Sequence, residues 1–256
     1  MHPITDHATL QNDFSNDGYV ALKPLFSREE MVALNKEIAR YIRDVVPAMP
    51  AEQVYYEDKS DTSSLKQLQR MFEYDAYFED LMLNGHARRV AEAVLGEEVV
   101  PVNMQYFNKP PGIGKATPPH QDGYYFHLSP CNAVTGWLAL EEVDEENGCI
   151  HYVRGSHRQV EFRAHGQTGV LGFSQGITDF GTDEDKANTV SFPGSAGTFL
   201  MHHAKTVHWA GANQSSSRSR RALGFIYYGK SAEIDIKAKQ AYQDRLDARL
   251  KEAAKI

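Results

Sequence analysis

Gly197-Thr198-Phe199-Leu200-Met201-His202-His203 is followed closely by His208-Trp209-Ala210-Gly211-Ala212-Asn213 and then by Arg218-Ser219-Arg220-Arg221-Ala222-Leu223. Short apolar runs alternate here with Gly, Asn and Ser, the punctuation of strands joined by turns. The same texture, rich in Val, Phe, Tyr and Thr, extends from Val99 to about Tyr228. It predicts strands at Val99–Phe107, Ala133–Leu140, Cys149–Val153, Gly197–His202 and Arg220–Tyr228. Many short strands with frequent turn signals predict a sandwich or a barrel.

The flanks read differently. Ser27-Arg28-Glu29-Glu30 has the spacing of a capping box, and Met31, Leu34, Ile38 and Ile42 follow at helical spacing until Pro47. A second helix is expected from about Asp75 to Leu95, stopped by Gly96, which suits a left-handed cap. From Glu233 onward, Tyr242, Leu246 and Leu250 recur at four-residue steps among charged residues, the pattern of a closing surface helix. With no internal repeat or low-complexity linker, one domain over residues 1–256 is expected: a mostly helical part at 1–98, a β core at 99–230 and a C-terminal helix at 231–256.

Composition removes several classes. The 256 residues carry 27 Lys and Arg against 34 Asp and Glu, a formal charge of −7, without a basic run. This is no electrostatic footprint for nucleic acid. No stretch approaches the roughly 20 apolar residues needed to span a bilayer, and Met1–Leu10 is polar, so no membrane partner is expected. Two cysteines, Cys131 and Cys149, suit a reducing compartment, and a cytoplasmic location is expected. Gly112-Ile113-Gly114-Lys115 is followed by Ala116 where a phosphate loop needs Ser or Thr, and neither a dinucleotide fingerprint nor a G-x-S-x-G elbow is present.

The chemistry concentrates in the histidines. In an extended strand, residues two apart share a face, so His120-Gln121-Asp122 sets an imidazole beside a carboxylate. Alone, that spacing has a solvated surface pair as its ordinary reading. A third nitrogen donor follows in the 197–213 segment, and an Arg follows that. Two histidines and a carboxylate occupy three corners of an octahedron and leave three open, as in non-haem Fe(II) oxygenases. A guanidinium on the next strand fits a bidentate partner for a dicarboxylic cosubstrate.

At this point the sequence resembles the phytanoyl-CoA dioxygenase family of Fe(II)- and 2-oxoglutarate-dependent oxygenases. The match runs in family order from Asn108-Lys109-Pro110-Pro111 through His120-Gln121-Asp122, Trp137, Glu145-Glu146-Asn147-Gly148-Cys149 and Gly155-Ser156-His157 to His208 and Arg220-Arg221-Ala222-Leu223. The resemblance implies a mainly β chain with flanking helices, folded as a double-stranded β-helix, the cupin-like jelly roll. It implies iron ligands His120, Asp122 and His208, and Arg220 on the distal carboxylate of 2-oxoglutarate. Asn108, Trp137 and Gln105 are implied to line the pocket of cosubstrate and substrate, with O₂ as the third reactant.

Two departures follow. Relatives often carry Ser two residues beyond the distal histidine, where this chain has Ala210. Arg220 lies twelve residues beyond His208, one more than usual, which leaves Arg218 and Arg221 as alternatives. Related halogenases replace the carboxylate with a small residue, so Asp122 implies hydroxylation or another oxidation. The expected reaction is hydroxylation of an aliphatic C–H bond in a small metabolite or natural-product intermediate, releasing succinate and CO₂. A second reading is a non-oxidative metal-binding jelly roll of cupin or lectin type. Tyr124, Tyr125, His127, Arg163 and His165 are candidates for the substrate mouth, while Ser156 and His157 read as a turn.

Overall fold

The computed structural model describes residues 7–170 and 173–252. In chain order, α1 (His7–Asp17), β1 (Tyr19–Leu22), α2 (Arg28–Asp44), β2 (Val54–Tyr56), β3 (Leu65–Leu68), α3 (Ala76–Asn84) and α4 (His86–Leu95) lead to β4 (Val99–Lys109). Next come β5 (Thr117–His120), α5 (Gly123–Phe126), β6 (Leu128–Ser129), β7 (Ala133–Ala139), β8 (Ile150–Val153), β9 (His165–Val170) and β10 (Phe173–Ile177). The chain closes with α6 (Asp183–Asn188), β11 (Thr189–Phe192), β12 (Phe199–His203), β13 (His208–Ala210), β14 (Arg220–Gly229), β15 (Glu233–Ile234) and α7 (Ile236–Glu252).

The capping box forms: the Ser27 hydroxyl accepts from the Glu30 amide, and the Glu30 carboxylate accepts from the Ser27 amide. α2 then buries Met31, Leu34, Ile38 and Tyr41, with Ile42 packed at the edge of the same core. The second expected helix is two helices. Gly85 is extended (φ −74°, ψ 179°) between α3 and α4, and a Cβ there would lie 2.2 Å from the Leu81 carbonyl oxygen, which only glycine avoids. Gly96 ends α4 in the left-handed conformation, φ 69°. The first third also supplies strands: β1 pairs with β12, and β2 and β3 extend the sheet beyond β4. Three or four residues are too few to display a periodicity in sequence.

Two antiparallel sheets make the jelly roll, one ordered β1-β12-β7-β14-β4-β3-β2 and the other β11-β8-β13-β5. β14 explains how they stack. Leu223, Phe225 and Tyr227 point to one face and join a core with Leu34, Ile38, Met82 and Val90 of the helices. Ala222, on the other face, joins a core with Ile150, Tyr152 and Phe192 of the small sheet. Both faces of the large sheet are therefore covered, and β14 reads as a nearly continuous apolar run. Each such fully buried large side chain contributes about 1.5–3 kcal/mol to that packing.

At the open end of the roll, α7 sets Tyr242 against Tyr125, ring centroids 6.0 Å apart. The side chains of Leu246 and Leu250 lie outside the described residues. No helix among the described residues is long and apolar enough to cross a membrane.

Candidate metal centre

β13 and β5 are neighbours in the small sheet with His208 opposite His120 in register, which brings the imidazoles to a centroid separation of 4.1 Å. Each Nδ1 faces a backbone carbonyl two residues earlier, His120 that of Pro118 at 2.8 Å and His208 that of Thr206 at 3.0 Å. With the proton on Nδ1, both rings turn an Nε2 lone pair inward. The two Nε2 atoms lie 3.4 Å and 3.7 Å from Asp122 Oδ1.

Asp122 does not reach this point along a strand, as the H-x-D spacing predicts. β5 ends at His120, and Asp122 is helical (φ −58°, ψ −37°) at the start of α5. The bend is held from outside: Gln121 donates to the Lys205 carbonyl at 2.7 Å and accepts from the Arg163 amide at 3.0 Å, while the Gly123 amide donates to the Ala204 carbonyl.

The two carboxylate oxygens of Asp122 have separate surroundings. Oδ2 accepts from the Thr135 hydroxyl at 2.6 Å and faces His202 Nε2 at 3.1 Å, while Oδ1 faces His120 and His208. Tyr152 reaches His202 Nδ1 at 2.9 Å, so its hydroxyl can donate there while His202 donates to Asp122. Burial opposes ionisation of Asp122, but His208, His120 and His202 outweigh it and hold the carboxyl well below the usual range. His208 is held neutral, chiefly by burial and then by His120 and His202. Three donors within 4.8 Å, one carboxylate and two imidazoles, form a set that suits Fe(II).

The triad opens into a cavity of about 750 Å³ that also receives Arg220, Trp137, Gln105 and Asn108. Arg220 is buried, its Nε has no hydrogen-bond partner among the described residues, and its guanidinium lies 5.7 Å from the Trp137 ring. Burial lowers its pKa to about 10, with Cys149, Glu141 and Tyr106 opposing. Such an orphaned cation fits a carboxylate-bearing cosubstrate. The neighbouring arginines are engaged elsewhere: Arg221 pairs with Glu141 at 2.9 Å, and Arg218 with Asp144 at 2.8 Å. Gln105 and Trp137 flank Gly224 in register, and a Cβ on Gly224 would sit 2.8 Å from the Phe107 ring, so the glycine keeps the floor open. Asn108 donates to the Leu65 carbonyl at 2.9 Å, leaving its Oδ1 buried without a partner among the described residues.

Of the candidates for the substrate mouth, Tyr125 lines this cavity. Tyr124 and His165 stack on each other at 4.0 Å, and Arg163 is tied to Asp185 at 2.7 Å. His127 faces Tyr242 with ring centroids 5.6 Å apart. Ser156 is structural: its hydroxyl donates to the Val153 carbonyl and accepts from the Val207 amide, fixing the chain one residue before His208. Sequence reasoning missed three contributors. Thr135 lies two residues before Trp137 on an expected strand, so its shared face was derivable. His202 stands in the 197–213 segment quoted for its third nitrogen donor, without a role of its own. Lys109 is buried in the cavity wall and donates to the carbonyls of Ala210 and Gly211. Burial, then Arg220 beside it, holds its amine well below the usual lysine range.

Comparison with known proteins agrees with this architecture. The family model described as phytanoyl-CoA dioxygenase matches residues 14–222. A phytanoyl-CoA dioxygenase domain-containing protein 1 of Danio rerio is 28% identical, over 88% of this chain and 90% of the relative. A probable alpha-ketoglutarate-dependent hypophosphite dioxygenase of Stutzerimonas stutzeri is 25% identical, over 84% of this chain and 77% of the relative. Among solved structures, the epimerase SnoN in complex with Fe3+, alpha ketoglutarate and nogalamycin RO superposes with a TM-score of 0.72 at 22% identity, covering 89% of this chain and 85% of that one. EctD from S. alaskensis with bound Fe also gives 0.72, at 20% identity, covering 90% and 79%.

Proposed function

Since the chain belongs to the phytanoyl-CoA dioxygenase family and is a 2-oxoglutarate-dependent non-haem iron dioxygenase, we propose that His120, Asp122 and His208 hold its iron and that Arg220 receives the distal carboxylate of 2-oxoglutarate. The reaction we assign is hydroxylation of an aliphatic C–H bond in a small metabolite or natural-product intermediate. Iron, 2-oxoglutarate and O₂ together supply the oxidising power, with succinate and CO₂ as co-products.

The chain's part is to orient and to exclude. The observation that carries this reading is the division of labour on Asp122: Oδ2 is occupied by Thr135 and His202, and Oδ1 is turned toward the Nε2 atoms of His120 and His208. A carboxylate held this way would offer a metal one oxygen, with His120 and His208 as the other protein donors, and the keto acid would take remaining positions. Arg220, against Trp137, anchors the far end of that keto acid, while Lys109, its register partner on the adjacent strand, holds the carbonyls of Ala210 and Gly211. Gln105 and Asn108 also line the cavity. Tyr125 and Phe126 wall the other side and keep water from the reacting carbon. The non-oxidative jelly roll accounts for the triad but gives the orphaned Arg220 no task.

The test is an anaerobic titration with Fe(II) and then 2-oxoglutarate. The weak visible charge-transfer band of a chelated keto acid should appear in the wild type and be lost in His120→Ala and His208→Ala. A wild-type protein that binds iron without developing the band would refute the assignment.

A further inference from the structure

The cavity has a second cationic end. On β14, Arg220, Ala222, Gly224, Ile226 and Tyr228 alternate onto the inner face, so the strand runs the length of the cavity, about 26 Å at ~3.3 Å per residue. Arg220 and Lys109 stand at one end, register partners on adjacent strands. Asp122 hangs from Thr135, the register partner of Ile226, nearer the other end. Beyond it lies Tyr228, and over its ring, 5.4 Å from the centroid, lies the ammonium of Lys239 from α7.

Lys239 is half-buried, reaches the Tyr228 hydroxyl at 3.5 Å and has no carboxylate partner among the described residues. Its pKa is lowered by burial and then by Arg70, a second cation lining the cavity, which is itself paired with Glu73 at 2.7 Å. The acidic residues of the lining are committed or peripheral: Glu57 pairs with Lys66 at 3.0 Å, Asp122 belongs to the triad, and Glu52 is exposed at the rim. A chain with a formal charge of −7 thus lines this cavity with an excess of cations. Such focusing raises the local concentration of anions. The walls between Lys239 and the triad are apolar and aromatic: Tyr125, Phe126, Val102, Ile226 and Tyr228.

We propose that the primary substrate is a small organic monoanion with an apolar body, its charge received by Lys239 and its body held against Tyr125, Phe126 and Tyr228. This rests on the dioxygenase reading, because only there is Arg220 already taken by the cosubstrate; with Lys109 spent on the Ala210 and Gly211 carbonyls, Lys239 is left for the substrate. A cationic substrate is disfavoured. Among the described residues no carboxylate pairs with Lys239, and the Tyr228 face that would serve a cation is covered by it.

The test uses the full chain loaded with Fe(II) and 2-oxoglutarate under anaerobic conditions, with binding read by calorimetry. The probes are matched pairs, 3-phenylpropanoate with 3-phenylpropanamide and 3-cyclohexylpropanoate with its amide. Each acid should bind at least about tenfold more tightly than its amide, a difference of ~1.4 kcal/mol. Lys239→Met should reduce the acid to the level of the amide, Lys239→Arg should keep most of the preference, and Lys237→Met, exposed on the same helix, should change nothing. The charge-transfer band of the loaded centre reports that each variant is folded. Equal binding of acid and amide, including none by either, overturns the proposal, as does a preference that survives in Lys239→Met. A wild-type protein without the band fails earlier and takes the dioxygenase assignment and this inference down together.

Discussion

His202 Nε2 lies 3.1 Å from Asp122 Oδ2, the oxygen not turned toward the Nε2 atoms of His120 and His208, while the His202 ring packs with its centroid 4.1 Å from that of His208. A hydrogen bond on that oxygen fixes the carboxylate plane and leaves Oδ1 to a metal. Loss of an outer partner of this kind typically costs 10- to 100-fold in metal affinity. His202→Leu should weaken Fe(II) binding by about that range, and His202→Gln, which keeps a donor, should weaken it less. Equilibrium competition with a metallochromic chelator measures this, and unchanged affinity in the Leu variant would assign His202 to packing alone.

Arg220 is distinguished from its neighbours by what they already hold. Arg220→Met should raise the 2-oxoglutarate dissociation constant by about 10- to 150-fold, the loss of a charged hydrogen-bonded contact worth ~1.5–3 kcal/mol. Arg221→Met and Arg218→Met break part-exposed pairs with Glu141 and with Asp144 and Glu146, and should leave that constant within about threefold. Titration of the charge-transfer band ranks the three. If Arg221→Met gave the largest effect, the strand would present its other face to the cosubstrate.

Lys109 couples binding to the fold. Its amine is spent on the Ala210 and Gly211 carbonyls just after the distal histidine. Lys109→Met leaves buried carbonyls without their donor, a cost of about 1–3 kcal/mol. At ~2–4 °C per kcal/mol, the thermal midpoint should fall by roughly 2–12 °C. 2-Oxoglutarate binding should weaken as well, since Lys109 is the register partner of Arg220 and its loss disturbs the wall on which Arg220 stands. A stable variant with unaltered cosubstrate affinity would remove Lys109 from both roles.

Acid should loosen the seam between α1 and β12. His203 sits beside Phe14 of α1, ring centroids 6.0 Å apart, and burial, reinforced by His157, Lys205 and His202, lowers its pKa to about 3. His157, bonded to the Ser15 carbonyl at 3.1 Å, is also lowered, chiefly by burial. The folded state then binds fewer protons than the unfolded chain, whose histidines titrate near ~6.5. Their contribution is fully present above about pH 6.5 and is lost progressively as pH falls toward the folded values. Chemical unfolding midpoints should decline from pH 7 to pH 5, and the decline should be shallower in His203→Phe. An equal slope in that variant would place the acid-sensitive group elsewhere.

The local features of the fold were legible because their causes are local. The Ser27 to Glu30 box, the apolar face of α2, the Gly96 cap and the strand runs each depend on residues within a turn or on alternation along a strand. The break at Gly85 was hidden, because a glycine in an apolar helical run looks tolerated until its clash with the Leu81 carbonyl is measured. So were β1, β2 and β3, which exist only because longer partners offer them an edge.

By itself, the sequence determined the kind of layer each segment joins and a small set of side chains with the right chemistry for a metal and a dicarboxylate, since hydrophobic period and functional group are properties of the chain. Only the tertiary structure decided which arginine faces the cavity, which oxygen of Asp122 is left open, and which cations lack a carboxylate. The first two are settled by neighbours 80 residues away, Glu141 beside Arg221 and His202 beside Asp122, and the third by the packing of α7, which lays Lys239 over Tyr228. Ionisation and hydrogen bonding act through space over a few ångströms, and the chain order does not encode those distances.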